Sequence, residues 1–351
     1  MSRLSRLRDL LVAKHLDGLL VTDPVNVSYL TGFTGDESAL LVTAEDSLFI
    51  TDSRFTTQFH QQVHNSHLVL HQDHLLSSAS EHATGTVGFE AEYMTYADFL
   101  KLQGPAKWLP TTDLVSGLRE VKDDSELSDI KQAIAIAEAG YKHVLDTIKP
   151  GMTEIQVAND LDQFMKSLGA SGTSFETIVA SGLRSAMPHG MASDKVIEAG
   201  DMVTLDWGAV YHGYVSDITR TFVMGHATPE LEKIYHVVYE ANLATTKQMR
   251  AGVLGKTIND FAHQFIDDAG YGKYFGHGTG HGVGMSIHEG PGAWGPYREV
   301  PQAAGNVETV EPGIYVPGVG GVRIEDDILI TADDPIVLTS QAPPTLVVVP
   351  V

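Results

Sequence analysis

The sequence predicts an α+β protein of two domains, an α/β unit over residues 1–122 followed by a duplicated α+β unit over residues 123–351. Three observations carry this. Short β-rich runs alternate with helical segments through the first unit. A polar stretch, Val121-Lys122-Asp123-Asp124, then precedes a long amphipathic helix. Beyond it, one order of elements, two helices followed by a carboxylate-bearing β-hairpin, occurs twice.

Composition agrees. A chain of 351 residues suits two domains of ordinary size. Hydrophobic residues make up 43% and charged residues 19%, as in globular proteins. A formal charge of −22 would repel a phosphate backbone, which excludes nucleic acid as a partner. There is no Cys, hence no disulfide, no thiolate nucleophile and no Cys-ligated zinc. Any metal would sit among the carboxylates and the 16 His.

The opening MSRLSRLRDLLVAKHLDGLLVTD is basic, but Lys14, His15 and Asp17 interrupt the apolar run that a signal peptide requires, so a cytoplasmic chain is expected. Leu4, Leu7, Leu10 and Leu11 recur at helical spacing, and Gly18 ends that pattern before an apolar strand, Leu19 to Thr22. SALLVT, SLFIT and TVGFE supply further strands. No stretch approaches the roughly 18 apolar residues that span a bilayer, so no membrane association is expected.

In the second unit, Ile130, Ile134, Ala137, Tyr141, Val144, Leu145 and Ile148 form one helix face, which ends at Lys149-Pro150-Gly151. Thr153-x-x-Gln156 reads as a capping box opening a second helix that stops at Gly169. The order then recurs. Thr228-Pro229 starts a helix ending near Arg250-Ala251-Gly252, and its successor stops at Gly270. Gly151, Val157, Gln163, Phe164, Met165 and Gly169 align with Gly252, Ile258, Gln264, Phe265, Ile266 and Gly270.

Each helix pair precedes a hairpin. In DMVTLDWGAVYHGYVSDITRTFVM, a hairpin centred between Tyr211 and His212 sets Asp206 opposite Asp217. In ETVEPGIYVPGVGGVRIEDDILIT, a hairpin centred on Gly318 sets Glu311 opposite Glu325. Like charges across a strand pair repel, and the apolar flanks of Asp206 and Glu325 imply partial burial. Four ionised carboxylates in one shell would have to share protons or bind cations, and two divalent ions balance them. FGHGTGHGVGMSIHEGP offers nitrogen ligands in His277, His281 and His288, and its glycines permit close backbone approach. A dinucleotide-binding reading of those glycines fails, because no strand-then-helix context accompanies them. His189, in Met-Pro-His-Gly, occupies the matching place of the first half, outside the metal shell.

SFETIVASGLRSAMPHG, LDWGAVYHGYVSDITRTF, GHGTGHGVGMSIHEGP, VEPGIYVPG and GGVRIEDD together resemble the signature blocks of the pita-bread metallopeptidases that include aminopeptidase P and prolidase. LLVTDPVNVSYLTGFTGDESALL and FITDSRF resemble the creatinase-type N-terminal domain of that family. The resemblance implies a pita-bread catalytic domain with a pseudo-twofold repeat, preceded by a creatinase-like α/β domain. It implies metal ligation by Asp206, Asp217, His281, Glu311 and Glu325, with Asp217 and Glu325 bridging. His189 and His288 match the outer-shell histidines near substrate, and Arg323 a nearby arginine. Trp207 and Glu308 stand where an aliphatic residue or Phe is expected, which touches either the surroundings of the ligands or packing and leaves the ligand set intact.

The implied reaction is hydrolysis of the bond between an N-terminal residue and proline, with two metal ions activating the attacking water and polarising the carbonyl. Glu311 would carry a proton to the leaving nitrogen, with His288 and His189 supporting the intermediate. The oxygen-rich donor set suits Mn²⁺, with Co²⁺ or Zn²⁺ as alternatives. The wording ASGTSFETIVASG and the chain length favour the short bacterial aminopeptidase P type, with prolidase, a dipeptidase, as the alternative. The family commonly forms homodimers. Its non-catalytic peptide-binding members and its metal-free creatinase-like hydrolases lack some of the five ligands, all of which are present here.

Overall fold

The computed structural model describes residues 2–294 and 299–351. The chain divides into two compact units, Met1–Arg119 and Glu120–Val351, just ahead of the polar stretch.

In the first unit, β1 (Gly18–Val21), β2 (Ala39–Thr43), β3 (Ser47–Thr51), β4 (His67–Leu70), β5 (Thr86–Glu90) and β6 (Lys107–Thr111) form a mixed sheet in the order β4-β3-β2-β1-β5-β6. Its helices are α1 (Arg3–Ala13), α2 (Pro24–Thr31), α3 (Thr56–Gln62), α4 (Leu75–His82), α5 (Tyr96–Phe99) and α6 (Ser116–Arg119). The leucine repeat of α1 does what its spacing predicts: Leu4, Leu7 and Leu11 are buried. Leu20, Leu41, Ile50, Val87 and Phe89 of the sheet pack on Leu76, Ala79 and Ala83, in and just after α4.

The second unit opens with α7 (Asp124–Thr147), capped by a reciprocal Asp123/Glu126 box, and α8 (Glu154–Ser167), capped by the Thr153/Gln156 box. After β7 (Gly172–Thr173) and β8 (Ile178–Ser181) come β9 (Met202–Trp207), β10 (Ala209–Tyr211), β11 (Tyr214–Val215) and β12 (Ile218–Met224). The second half repeats the plan with α9 (Pro229–Thr246) and α10 (Gly255–Asp268), followed by β13 (Gly280–Gly282) and β14 (Glu289–Trp294). Its later strands are β15 (Val307–Val310), β16 (Gly313–Val316), β17 (Gly320–Arg323), β18 (Asp326–Leu329), β19 (Ile336–Val337) and β20 (Val347–Val349). The two larger sheets run β20-β12-β9-β8 and β14-β13-β15-β18-β19, beside the smaller β11-β10-β7 and β16-β17 sheets. The first helix pair shares a core with β9 and β12, whereas the second covers the β16-β17 ribbon. An isolated bridge between Thr219 and Glu325 joins the halves.

The second hairpin has the register read from its sequence: Gly313 faces Arg323 and, in the neighbouring ladder, Val310 faces Asp326. The first does not. Its turn is His212-Gly213, both at positive φ, as a two-residue type I′ connection requires. Asp206 therefore faces Thr219, and Asp217 lies on the diagonal, just before β12. Because the slip is two residues, both carboxylates keep the same face.

Gly208, between the two aspartates, shows how tight this crossing is. A Cβ there would lie 1.8 Å from the Ser216 carbonyl oxygen and 2.2 Å from Ser174 Oγ. Gly208→Ala is expected to destabilise the chain by at least about 1–3 kcal/mol in urea unfolding, as overpacked sites do; unchanged stability would contradict the close approach.

Candidate metal centre

The two halves deliver their carboxylates to one cavity of about 350 Å³, lined by Asp206, Asp217, Glu311 and Glu325 together with His189, His277, His281, His288 and Arg323. Every site residue singled out in the sequence is therefore brought to this cavity. Asp206 is the penultimate residue of β9, and Asp217 precedes β12. Glu311 lies between β15 and β16, and Glu325 between β17 and β18, and backbone pairing holds both: the Glu311 amide donates to the Thr279 carbonyl and the Glu325 amide to the Thr219 carbonyl. Asp206, Asp217, His281 and Glu325 are buried. Glu311 is half-buried, while His189 and His288 are exposed to the opening.

Donor atoms of Asp217, His281 and Glu325 lie within 4.8 Å of one another. His281 Nε2 is 3.4 Å from Asp217 Oδ2 and 3.8 Å from Glu311 Oε1. His281 Nδ1 lies 3.2 Å from the Gly282 carbonyl, which can only accept, so Nδ1 carries the hydrogen and the Nε2 lone pair faces the carboxylates. Burial, compounded by Glu325, Asp206 and Asp327, pushes the Asp217 carboxyl well above its usual range. Burial and then the Asp206 charge push Glu325 up to about 7. Burial and then Glu325 raise Glu311.

Arg323 supplies the buried positive charge, and its donors are engaged: NH2 with Asp206 Oδ2 at 2.5 Å, NH1 with Tyr315 Oη and the Pro188 carbonyl, Nε with Thr219 Oγ1. Asp206 Oδ1 remains buried without a partner. A buried oxygen with no donor, beside carboxyls that resist ionisation, is what a cation-binding donor set looks like before its charge is balanced. Four carboxylates and one imidazole with a directed lone pair fit divalent cations of the oxygen-preferring class.

Three residues of the centre escaped sequence reasoning. Thr219 donates to Glu325 Oε2 at 2.6 Å. Tyr315 Oη lies 2.8 Å from His277 Nε2. Asp327 accepts from the Asp217 amide at 3.2 Å, while burial drives its own carboxyl upward. Asp327 was legible, since strand alternation puts it on the face of Glu325. His277 pairs with Tyr315 and the Gly278 carbonyl, and burial lowers its pKa to about 4. The two departures from the family wording prove structural. Trp207 is fully buried, donates to the Ala137 carbonyl at 2.9 Å and stacks on Tyr141. Glu308, also fully buried, accepts from Gln302 Nε2 at 2.6 Å.

Residues 128–332 match the model of metallopeptidase family M24, and residues 3–121 that of the creatinase/prolidase N-terminal domain. The chain belongs to this family of peptidases and has its creatinase-type N-terminal domain and pita-bread catalytic domain. It is 35% identical to an Xaa-Pro dipeptidase of Pyrococcus furiosus over 94% of this chain and 95% of that one. Among solved structures, it resembles an Xaa-Pro dipeptidase from Bacillus anthracis, with a TM-score of 0.95, 41% identity and 99% of each chain covered. An X-Pro aminopeptidase from Thermotoga maritima superposes with a TM-score of 0.91 and 38% identity, over 99% of this chain and all of that one. No helix among the described residues is long and apolar enough to cross a membrane.

The carboxyl shifts set a pH dependence for metal-free protein. Glu325 is raised from 4.5 to about 7 in the folded state, so the fold binds its proton more tightly than the unfolded chain does. That stability is fully present below about 4.5 and is lost as pH rises through about 7. The Tm of chelator-treated protein is expected to fall from pH 5 to 7.5, and Glu325→Gln to flatten the fall. A Tm that rises across this interval would contradict the buried-carboxylate account.

Proposed function

We propose that the chain is a dinuclear metal-dependent Xaa-Pro dipeptidase, hydrolysing the bond between an N-terminal residue and a C-terminal proline. The observation that carries this reading is the convergence of the whole candidate ligand set, four carboxylates and an imidazole, on one cavity. The sequence wording leans to the aminopeptidase P type; the dipeptidases among the similar proteins shift the weight to the alternative. The Thermotoga maritima structure keeps an aminopeptidase reading in play.

Asp206, Asp217, His281, Glu311 and Glu325 would hold two ions, with Mn²⁺ the metal their oxygen-rich set suits best. When bound, the ions supply Lewis acidity at the scissile carbonyl and bring a water toward deprotonation at neutral pH. Proline offers no N–H for a peptidase to hold, so its nitrogen must leave protonated. Glu311, half-buried at the cavity wall, is suited to take a proton from the water and deliver it to that nitrogen. His288 and His189 stand where they can donate to the developing oxyanion. Burial, and then His281, lower the pKa of His288, so it serves as a neutral donor. Arg323 holds Asp206 in place.

The test is a comparison of an Xaa-Pro dipeptide with an Xaa-Pro-Yaa tripeptide. Dominant cleavage of the dipeptide supports the proposal, and dominant release of Xaa from the longer peptide supports the aminopeptidase reading. On the preferred substrate, Asp217→Ala should lower turnover at least 10²-fold with loss of metal, whereas His288→Ala should lower kcat by about 10²-fold with both ions retained. Equal metal loss in the two variants would contradict the division between ligand and oxyanion donor.

A further inference from the structure

Among the described residues, Lys122 and Glu289 form a buried ion pair that the machinery described so far does not use. His288 lies between β13 and β14, and its ring centroid sits 4.1 Å from that of His281. The connection is short and contains Gly284, so little regular structure fixes the imidazole's position. The next residue supplies what the loop lacks. Glu289 Oε2 accepts from the backbone amides of Met285 and Ser286, both at 3.1 Å, clamping the turn that leads to His288. Glu289 Oε1 lies 3.0 Å from Lys122 Nζ, and the two side chains are only 4% and 1% exposed. Lys122 is itself tied down: its Nζ donates to the Glu120 carbonyl at 3.2 Å and its amide to the Gly305 carbonyl at 2.9 Å.

As a stabilising device this pair is poor, because desolvating two ions costs about as much as their attraction returns, and an apolar pair often serves as well. As a positioning device it is effective. One charged carboxylate holds two adjacent amides of a turn, and a buried cation holds the carboxylate. Gly284 fits the same reading, since a Cβ there would meet Glu289 Oε1 at 2.0 Å. The carboxylate therefore lies flat against the turn it organises.

We propose that Glu289, anchored by Lys122, is a positioning residue that sets His288 over the metal centre. The proposal rests on the peptidase reading insofar as His288 is taken to act on substrate. The contacts described for Glu289 are with Lys122 and the Met285-Ser286 turn, so its effect should pass through His288.

The experiment is a double-mutant cycle on the Mn²⁺-loaded enzyme, with kcat, KM and metal content measured for Glu289→Gln, His288→Ala and the pair. Glu289→Gln is expected to lower kcat about 10-fold or more with KM and metal content little changed, and to cost less than about 2-fold in the His288→Ala background. Glu289→Asp should recover part of the rate. Lys122→Met combined with Glu289→Gln removes both charges, avoids a lone buried ion and keeps the cycle usable if Glu289→Gln alone folds poorly. Losses that multiply in full, a fully active Glu289→Gln enzyme, or loss of metal would each overturn the proposal.

A second readout needs no turnover. In metal-free protein, the imidazole NMR signal of His288 should move in Glu289→Gln while that of His143 on α7 stays; an unmoved His288 signal overturns the proposal. Should wild-type enzyme cleave peptides other than Xaa-Pro ones, the substrate reading fails, and the cycle is scored on the peptide that is cleaved.

Discussion

Mutual repulsion among buried carboxylates is the constraint on which the catalytic unit depends. Asp206, Asp217, Glu325 and Asp327 are all nearly inaccessible to water, Glu311 joins them at the wall, and Arg323 is the buried cation set among them. One guanidinium cannot neutralise that set. The protein meets the remainder by raising carboxyl pKa values and by enlisting Thr219 and the Asp217 amide as donors, and it leaves Asp206 Oδ1 buried without a partner. These are the marks of a centre built for cations, and the family to which the chain belongs is one of metallopeptidases.

The duplicated scaffold makes such a cluster attainable. Each half contributes a helix pair, a strand ladder and two acids at strand ends. The halves meet where the Glu325 amide donates to the Thr219 carbonyl, so acids from both ladders converge without any loop having to reach across. Arg220 reinforces this seam by pairing with Asp326 at 2.7 Å. Rigid ladders thus hold the candidate ligands, while the exposed histidines come from more open segments around Pro188 and Gly284.

Much of this was legible from residue order because two periodicities, helical in the paired helices and alternate in the hairpins, are strong and repeated. The Pro317–Gly320 turn gave the second hairpin its register. The first was misplaced because His212 adopts positive φ (50°), an uncommon conformation for a residue other than Gly, which moves the turn to His212-Gly213. Asp206 and Asp217 still shared a face, since side-chain direction depends only on the parity of the slip. The engagement of Arg323 with Asp206, Tyr315 and Thr219 could not be read from order, because those partners come from separate strands. Trp207 looked like a departure until its indole was seen to complete the contact between β9 and α7.

The central claim, that raised carboxyl protonation is the counterpart of cation binding, is tested most directly by calorimetric titration of Mn²⁺ into metal-free protein at pH 7 in two buffers of different ionisation enthalpy. The account expects saturation near two ions per chain with net proton release, because binding works against the protonation that burial favours at Asp217, Glu311 and Glu325. Saturable binding with no buffer-dependent heat, or no saturable binding at all, would contradict it.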